Sequence, residues 1–270
     1  IMIRLAEKNI RAAQRQSSKG DQLKLEDKGF WYKADYMGYE GLAEYVVSSL
    51  LKYSDVAENM YIRYQTEEIF YKRSRYLGCK SRNFLPEGWQ LITLERLFQS
   101  NYGRSLYKSI FMIQRAEERA AFLKEGAEQL TGLKDFGAYL SCLLTVDTLF
   151  LNEDRHMHNI GVLLDEQGQY HYCPIFDNGC ALLSDTRMDY PLEEDIIELI
   201  PQVKSKTLSM DFDEQLDAVE NLYGYHIHFS FGRHEIERVL EEEPYYSREV
   251  KSRVREILLQ QRRKYQYLFV

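Results

Sequence analysis

The 270 residues are 44% hydrophobic, which is enough apolar material for a sizeable core and excludes global disorder. The formal net charge of −7 argues against a general nucleic-acid binder, which gathers Lys and Arg on one face, so no direct nucleic-acid binding is expected. No apolar run nears the ~20 residues that cross a bilayer, and the first residues carry no signal-peptide pattern, so a cytoplasmic protein without a membrane span is expected.

Apolar Ile3, Ala6, Ile10 and Ala13 recur at helical spacing and predict a helix over residues 2–16. A short polar stretch follows, Ser17-Ser18-Lys19-Gly20-Asp21. Residues 22–26 and 30–35 read as two strands joined by the turn Asp27-Lys28-Gly29, with Lys33 inside the second. A helix is predicted over 39–53 from the stripe Leu42, Val46, Val47, Leu50 and Leu51. Residues 59–70 are strand-rich, and 78–94 read as irregular, running into the apolar segment 89–97. The pattern then turns helical, over 105–124 and more strongly over 136–150, where Tyr139, Leu140, Leu143, Leu144 and Phe150 form an apolar face. A loop at 151–158 precedes two strands, 159–164 and 170–176, around the turn Asp165-Glu166-Gln167-Gly168. Residues 180–205 look irregular, with Pro191 and Pro201, and the chain is helical again from 211, including 247–267. Strands early and helices late make an α+β chain, divided into residues 1–100 and 101–270. Cys79, Cys142, Cys173 and Cys180 show no paired spacing and are expected as small buried side chains of a reduced protein.

The chemistry concentrates in Asn152-Glu153-Asp154-Arg155-His156-Met157-His158-Asn159 and Pro174-Ile175-Phe176-Asp177-Asn178-Gly179. Asp154 lies on a loop, Asn159 starts a strand, and the following hairpin returns the chain to Asp177. Three oxygen-bearing side chains at one end of a hairpin suit a hard cation such as Mg2+, which takes few protein oxygens and keeps water and phosphate. Phosphoryl transfer from ATP asks for such a set. Asn159 and Asp177 are the candidate metal ligands and Asp154 the group that takes the acceptor's proton or positions its hydroxyl. Lys33 is the candidate cation for the ATP phosphates, held by Glu44 or by Glu40, which share a helix face. Ser17, Ser18, Lys19 and Gly20 would cover the phosphates with backbone N–H groups and the Lys19 charge. His156 is a candidate nucleotide contact whose other reading is packing or hydrogen bonding within the loop. Arg155 and His158 read as acceptor or phosphate contacts or as surface ion pairs, and Asp147 as a helix-end carboxylate that could orient the loop.

This order of parts resembles the HipA-like kinases and, more distantly, the phosphoinositide-kinase-like atypical kinases. NEDRHMHNIGVL is similar to their catalytic loop, PIFDNG to their metal-binding strand end, and WYKAD with YEGLAEYVVSSLL to their lysine strand and helix, a match that favours Glu44 over Glu40. The resemblance spans residues 17 to about 260. It implies a bilobal protein-kinase-like fold with a small β-rich N-lobe and a larger, mostly helical C-lobe. It also implies ATP and Mg2+ as cofactors and a Ser/Thr hydroxyl of a protein as acceptor. Family analogy adds a toxin–antitoxin setting, an antitoxin partner and an aminoacyl-tRNA synthetase as a target. HipA carries an additional N-terminal subdomain, so a compact stand-alone relative is expected. The turn at 17–21 has a single glycine, Gly20, and by the same resemblance Ser17 and Ser18 are candidates for an inactivating autophosphorylation. Two other functions compete: a lipid or small-molecule kinase, and a non-catalytic nucleotide-binding partner of an antitoxin.

Overall fold

The structure, a computed structural model, describes residues 3–4 and 22–270, with side chains described from residue 22. The helix expected over 2–16 is not found at its start: Ile3–Arg4 is a short strand, β1, that pairs in parallel with a later one. The rest of that expected helix, and residues 17–20, lie outside the described residues.

β2 (Lys24–Asp27) and β3 (Phe30–Ala34) form the expected hairpin. Lys28 and Gly29 both take positive φ, +49° and +79°, the geometry that suits a two-residue turn to the strand twist. Helix α1 (Glu40–Leu50) follows and buries Leu42, Val46, Val47 and Leu50. β4 (Tyr64–Tyr71) and β5 (Ser74–Arg82) complete a five-stranded sheet of order β1-β4-β5-β3-β2. The stretch from Gly78, expected to be irregular, is thus strand as far as Arg82. Gly78 lies opposite Ala34 and Glu67, where a Cβ would stand 2.0 Å from the Lys33 carbonyl, and Gly41 of α1 approaches it so closely that a Cβ there would come within 2.4 Å of the Gly78 backbone.

β6 (Gln90–Thr93), β7 (Gly161–Leu164) and β8 (Tyr170–Tyr172) form a second, antiparallel sheet in that order. α2 (Leu94–Tyr102) is N-capped by the Thr93 side chain. The single helix expected over 105–124 is two, α3 (Leu106–Phe111) and α4 (Ala116–Thr131). The break carries no Gly or Pro; the Ile113 carbonyl left over by it accepts from Arg119 Nε at 2.8 Å. α5 (Phe136–Phe150) is apolar nearly all round and accordingly buried. α6 (Ile196–Leu199) is one turn within the irregular stretch, and α7 (Phe212–Tyr223), α8 (Arg233–Glu242) and α9 (Arg248–Lys264) close the chain.

The residues group into two units. One takes residues 1–84, 176–203 and 229–270; the other takes 85–175 and 204–228. This grouping is discontinuous along the chain. In the first unit α1 packs against β4 and β5 and against α8, and Tyr45 donates to the Val239 carbonyl of α8 at 3.2 Å, so α8 lies on the helix that lies on the sheet. Its sheet carries two apolar clusters, Leu25, Tyr32, Ala34, Ile69 and Tyr71, and Ile62, Tyr64 and Cys79. In the second unit α5 packs against α4 and α7. The fold is α+β, with β-structure concentrated early and helices late.

Candidate active site

Strand alternation places Lys33 on the opposite face from its buried neighbours Tyr32 and Ala34. Its Nζ lies 2.5 Å from Glu44 Oε1 and 2.6 Å from Asp177 Oδ1, and 5.2 Å from the centre of the Tyr64 ring. Burial works to strip the proton from Lys33, but the carboxylates of Asp177 and Glu44 outweigh it and hold the ammonium well above the ordinary lysine range. Glu44 is 1% exposed and uses both oxygens: Oε2 accepts from the backbone N–H of Asn178 at 2.8 Å. One helix residue therefore fixes the lysine strand and the segment after Asp177 together. Glu40, the other carboxylate on that helix face, accepts instead from the N–H groups of Met37 at 2.6 Å and Gly38 at 3.0 Å. The spacing left Glu40 and Glu44 open; the geometry pairs Lys33 with Glu44.

Asp177 has φ +60°, a left-handed conformation that Asp tolerates better than most residues. Past Gly179 the chain is strapped to the turn before α1. Tyr39 donates through its hydroxyl to the Leu182 carbonyl at 2.6 Å and through its N–H to the Ser184 carbonyl at 3.2 Å, and Arg187 N–H donates to the Met37 carbonyl at 3.0 Å.

Asp154 and Asn159 belong to the other unit, on the loop between α5 and β7. The loop is built around a buried ion pair: Arg155, 1% exposed, meets Asp147 of α5 through Nε at 2.9 Å and a terminal nitrogen at 3.0 Å. Burial pushes the Asp147 carboxyl up, and Arg155 opposes the shift. Arg155, expected on the surface or on the acceptor, is therefore an internal brace. It turns inward because the α5 C-terminus buries a carboxylate that only a bidentate partner satisfies. Asn152 donates to the same carboxylate at 2.8 Å, and N–H groups at the start of α2, Leu94 and Glu95, donate to the loop carbonyls of Ile160 and Met157.

On this scaffold Asn159 Nδ2 donates to the Asp154 carbonyl at 2.8 Å, which leaves the amide oxygen Oδ1 with no hydrogen-bond partner among the described residues. His156 Nε2 is 3.8 Å from Asp154 Oδ2 and its Nδ1 has no partner among the described residues; burial pushes its basicity down, with Asp154 opposing. His158 is exposed. Two contacts were not legible beforehand. Lys206 Nζ lies 3.2 Å from Asp154 Oδ1, and the Thr207 hydroxyl donates to the Arg155 carbonyl. They arrive from 52 residues downstream, and neither spacing nor periodicity marks them.

The residues proposed for Mg2+ fit a hard cation in donor type. Asp177 offers a carboxylate whose charge is met in this structure by an ammonium, and Asn159 offers an open amide oxygen. Among the described residues no group of three or more His, Cys, Asp or Glu side chains gathers around a common point. The proposed phosphate-covering residues, Ser17, Ser18, Lys19 and Gly20, lie outside the described residues.

The lysine strand, the helix that bears its glutamate partner, and the loop and hairpin that lead to Asp177 are thus each fixed within the fold. The fold is kinase-like. The Helicobacter pylori proinflammatory kinase CtkA is similar in structure, with a TM-score of 0.61 at 17% identity, over 92% of this chain and 89% of that one. A likeness at this identity is one of fold. No protein-family model matches the sequence, and no curated protein matches it.

Proposed function

We propose that the chain is an ATP- and Mg2+-dependent kinase that passes the γ-phosphoryl group to a Ser or Thr hydroxyl of a protein, in the manner of the HipA-like kinases. The observation that carries the reading is Lys33 clamped between Glu44 and Asp177. A buried lysine held charged by two carboxylates on separate elements is costly to assemble and suits phosphate binding. In this reading Lys33 holds the nucleotide's phosphates, with Glu44 fixing its position. Asp177 and Asn159 hold the ion, which neutralises phosphate charge when bound. Asp154 takes the acceptor's proton, and Arg155 with Asp147 keeps its loop rigid. His156 serves as a nucleotide contact, and Ser17, Ser18, Lys19 and Gly20 cover the phosphates, with Ser17 or Ser18 as the autophosphorylation site. A toxin's role beside an antitoxin, with an aminoacyl-tRNA synthetase as the target, follows from the family resemblance alone.

The test is incubation with Mg2+ and γ-labelled ATP in a lysate and with purified lipids. Label in protein supports the proposal; label only in a lipid or metabolite supports the phosphoinositide-kinase-like alternative. Asp154→Ala is expected to lower turnover by about 10²–10⁴-fold, the usual worth of a positioned general base. Turnover equal to wild type would remove the assignment.

A further inference from the structure

We propose that Lys206 is a further catalytic residue, whose ammonium bridges Asp154 and a non-bridging oxygen of the phosphoryl group in transit. The inference rests on the phosphotransfer reading above. It starts from how Lys206 is presented. Its neighbours Ser205 and Thr207 are buried. Ser205 donates to Gln215 Oε1 at 2.6 Å and through its N–H to the Met210 carbonyl at 3.1 Å, while Arg119 donates to the Leu208 carbonyl at 2.7 Å. Thr207 is tied to the loop itself through the Arg155 carbonyl. The turn is thus a rigid bracket, and Lys206 projects from it with 39% of its side chain exposed, against 9% for Asp154.

An ammonium carries three N–H donors. One meets Asp154 Oδ1 at 3.2 Å, and no other partner of Lys206 exists among the described residues, so two donors are open. The chemistry places an anion there. As the acceptor oxygen forms its bond to phosphorus, its proton passes to Asp154, the bond from phosphorus to the β,γ-bridging oxygen breaks, and ADP leaves with that electron pair. The acceptor oxygen is then both a hydrogen-bond partner of Asp154 and bonded to phosphorus. The oxygens on phosphorus lie one bond further on, within reach of a cation that already touches the same carboxylate. A lysine suits the position because a flexible stem lets its point charge follow an oxygen that moves during transfer.

Lys206→Met, Lys206→Gln and Lys206→Arg, compared with wild type, test this through Mg-ATP turnover and through binding of ADP with and without aluminium fluoride, which stands in for the phosphoryl in transit. In the Met and Gln variants kcat should fall by about 10²-fold, the usual loss on removing one donor to developing charge. Affinity for the aluminium fluoride complex should fall in parallel, while ADP affinity stays within about twofold. Lys206→Arg should recover part of both. Unchanged kcat, or equal losses for ADP and its complex, would overturn the role. A wild-type protein with neither turnover nor tighter binding of the complex would sink the phosphotransfer reading itself; an active wild type with an equally active Lys206→Met sinks only the lysine.

Discussion

Asp35 shows how single side chains next to Lys33 respond to their surroundings. It closes β3, accepting from Gly41 N–H at 2.7 Å and from the Tyr246 hydroxyl at 2.7 Å, and so ties α1 and the start of the C-terminal helix region to the lysine strand. Removal from water, then the negative charge of Glu40, pushes its carboxyl up to about 7, with both hydrogen bonds opposing. A folded-state value above the unfolded ~3.9 means that the native state holds this proton more tightly. Its contribution to stability is full below the unfolded value and is lost as pH rises through about 7. Urea unfolding should therefore show wild type losing stability from pH 5 to 8 relative to Asp35→Asn, whose amide keeps a donor and an acceptor without titrating. Parallel curves for the two proteins would contradict the account. Glu44, on the same helix as Glu40, has a partner on each oxygen, Lys33 on one and the Asn178 N–H on the other.

At the scale of elements, α1 carries Glu44 to Lys33 because Gly41 lets the helix lie close on β5, and β5 meets β3 closely because Gly78 has no side chain. A Cβ on Gly78 would stand 2.0 Å from the Lys33 carbonyl, and one on Gly41 would stand 2.4 Å from the Gly78 backbone. Gly78→Ala should destabilise the protein by about 1–3 kcal/mol or more, as overpacking does, and weaken nucleotide binding by displacing Lys33. Unfolding midpoints and ATP affinity equal to wild type would refute it. The same pair marks where sequence reading stops. A glycine in a polar stretch such as Ser74–Arg82 reads as a breaker, since apolar alternation is missing; the close approach of β3, which no local pattern encodes, explains it. The split between α3 and α4 has no breaker residue, so periodicity ran through it. By contrast β3, α1, α5 and the β7–β8 hairpin carry strong periods or turn residues and stand close to where the pattern sets them. Lys33, Glu44 and Asp177 come together, as do Asp154 and Asn159, because each sits at a fixed offset from one of those elements. Lys206 and the buried turn of Arg155 depend on packing alone, which no local pattern encodes.

Across the whole molecule the chemistry-bearing residues divide between two units, each of which returns to itself after a long excursion of the chain. Lys33, Glu44 and Asp177 belong to one; Asp154, Asn159 and Lys206 belong to the other. The hairpin β7–β8 begins just after Asn159, and the chain runs from it to Asp177, which ties the second group to the first covalently. The account assigns these residues separable tasks, metal and phosphate holding against proton removal, so binding and turnover should come apart by mutation. The most direct measurement is calorimetric titration of ATP, with and without Mg2+, into wild type, Asp154→Ala and Asp177→Ala. Wild type and Asp154→Ala should bind Mg-ATP with similar affinity and gain from the metal, whereas Asp177→Ala should lose that gain. Mg2+-strengthened ATP binding that survives intact in Asp177→Ala, or a wild type that binds no ATP, would contradict the account.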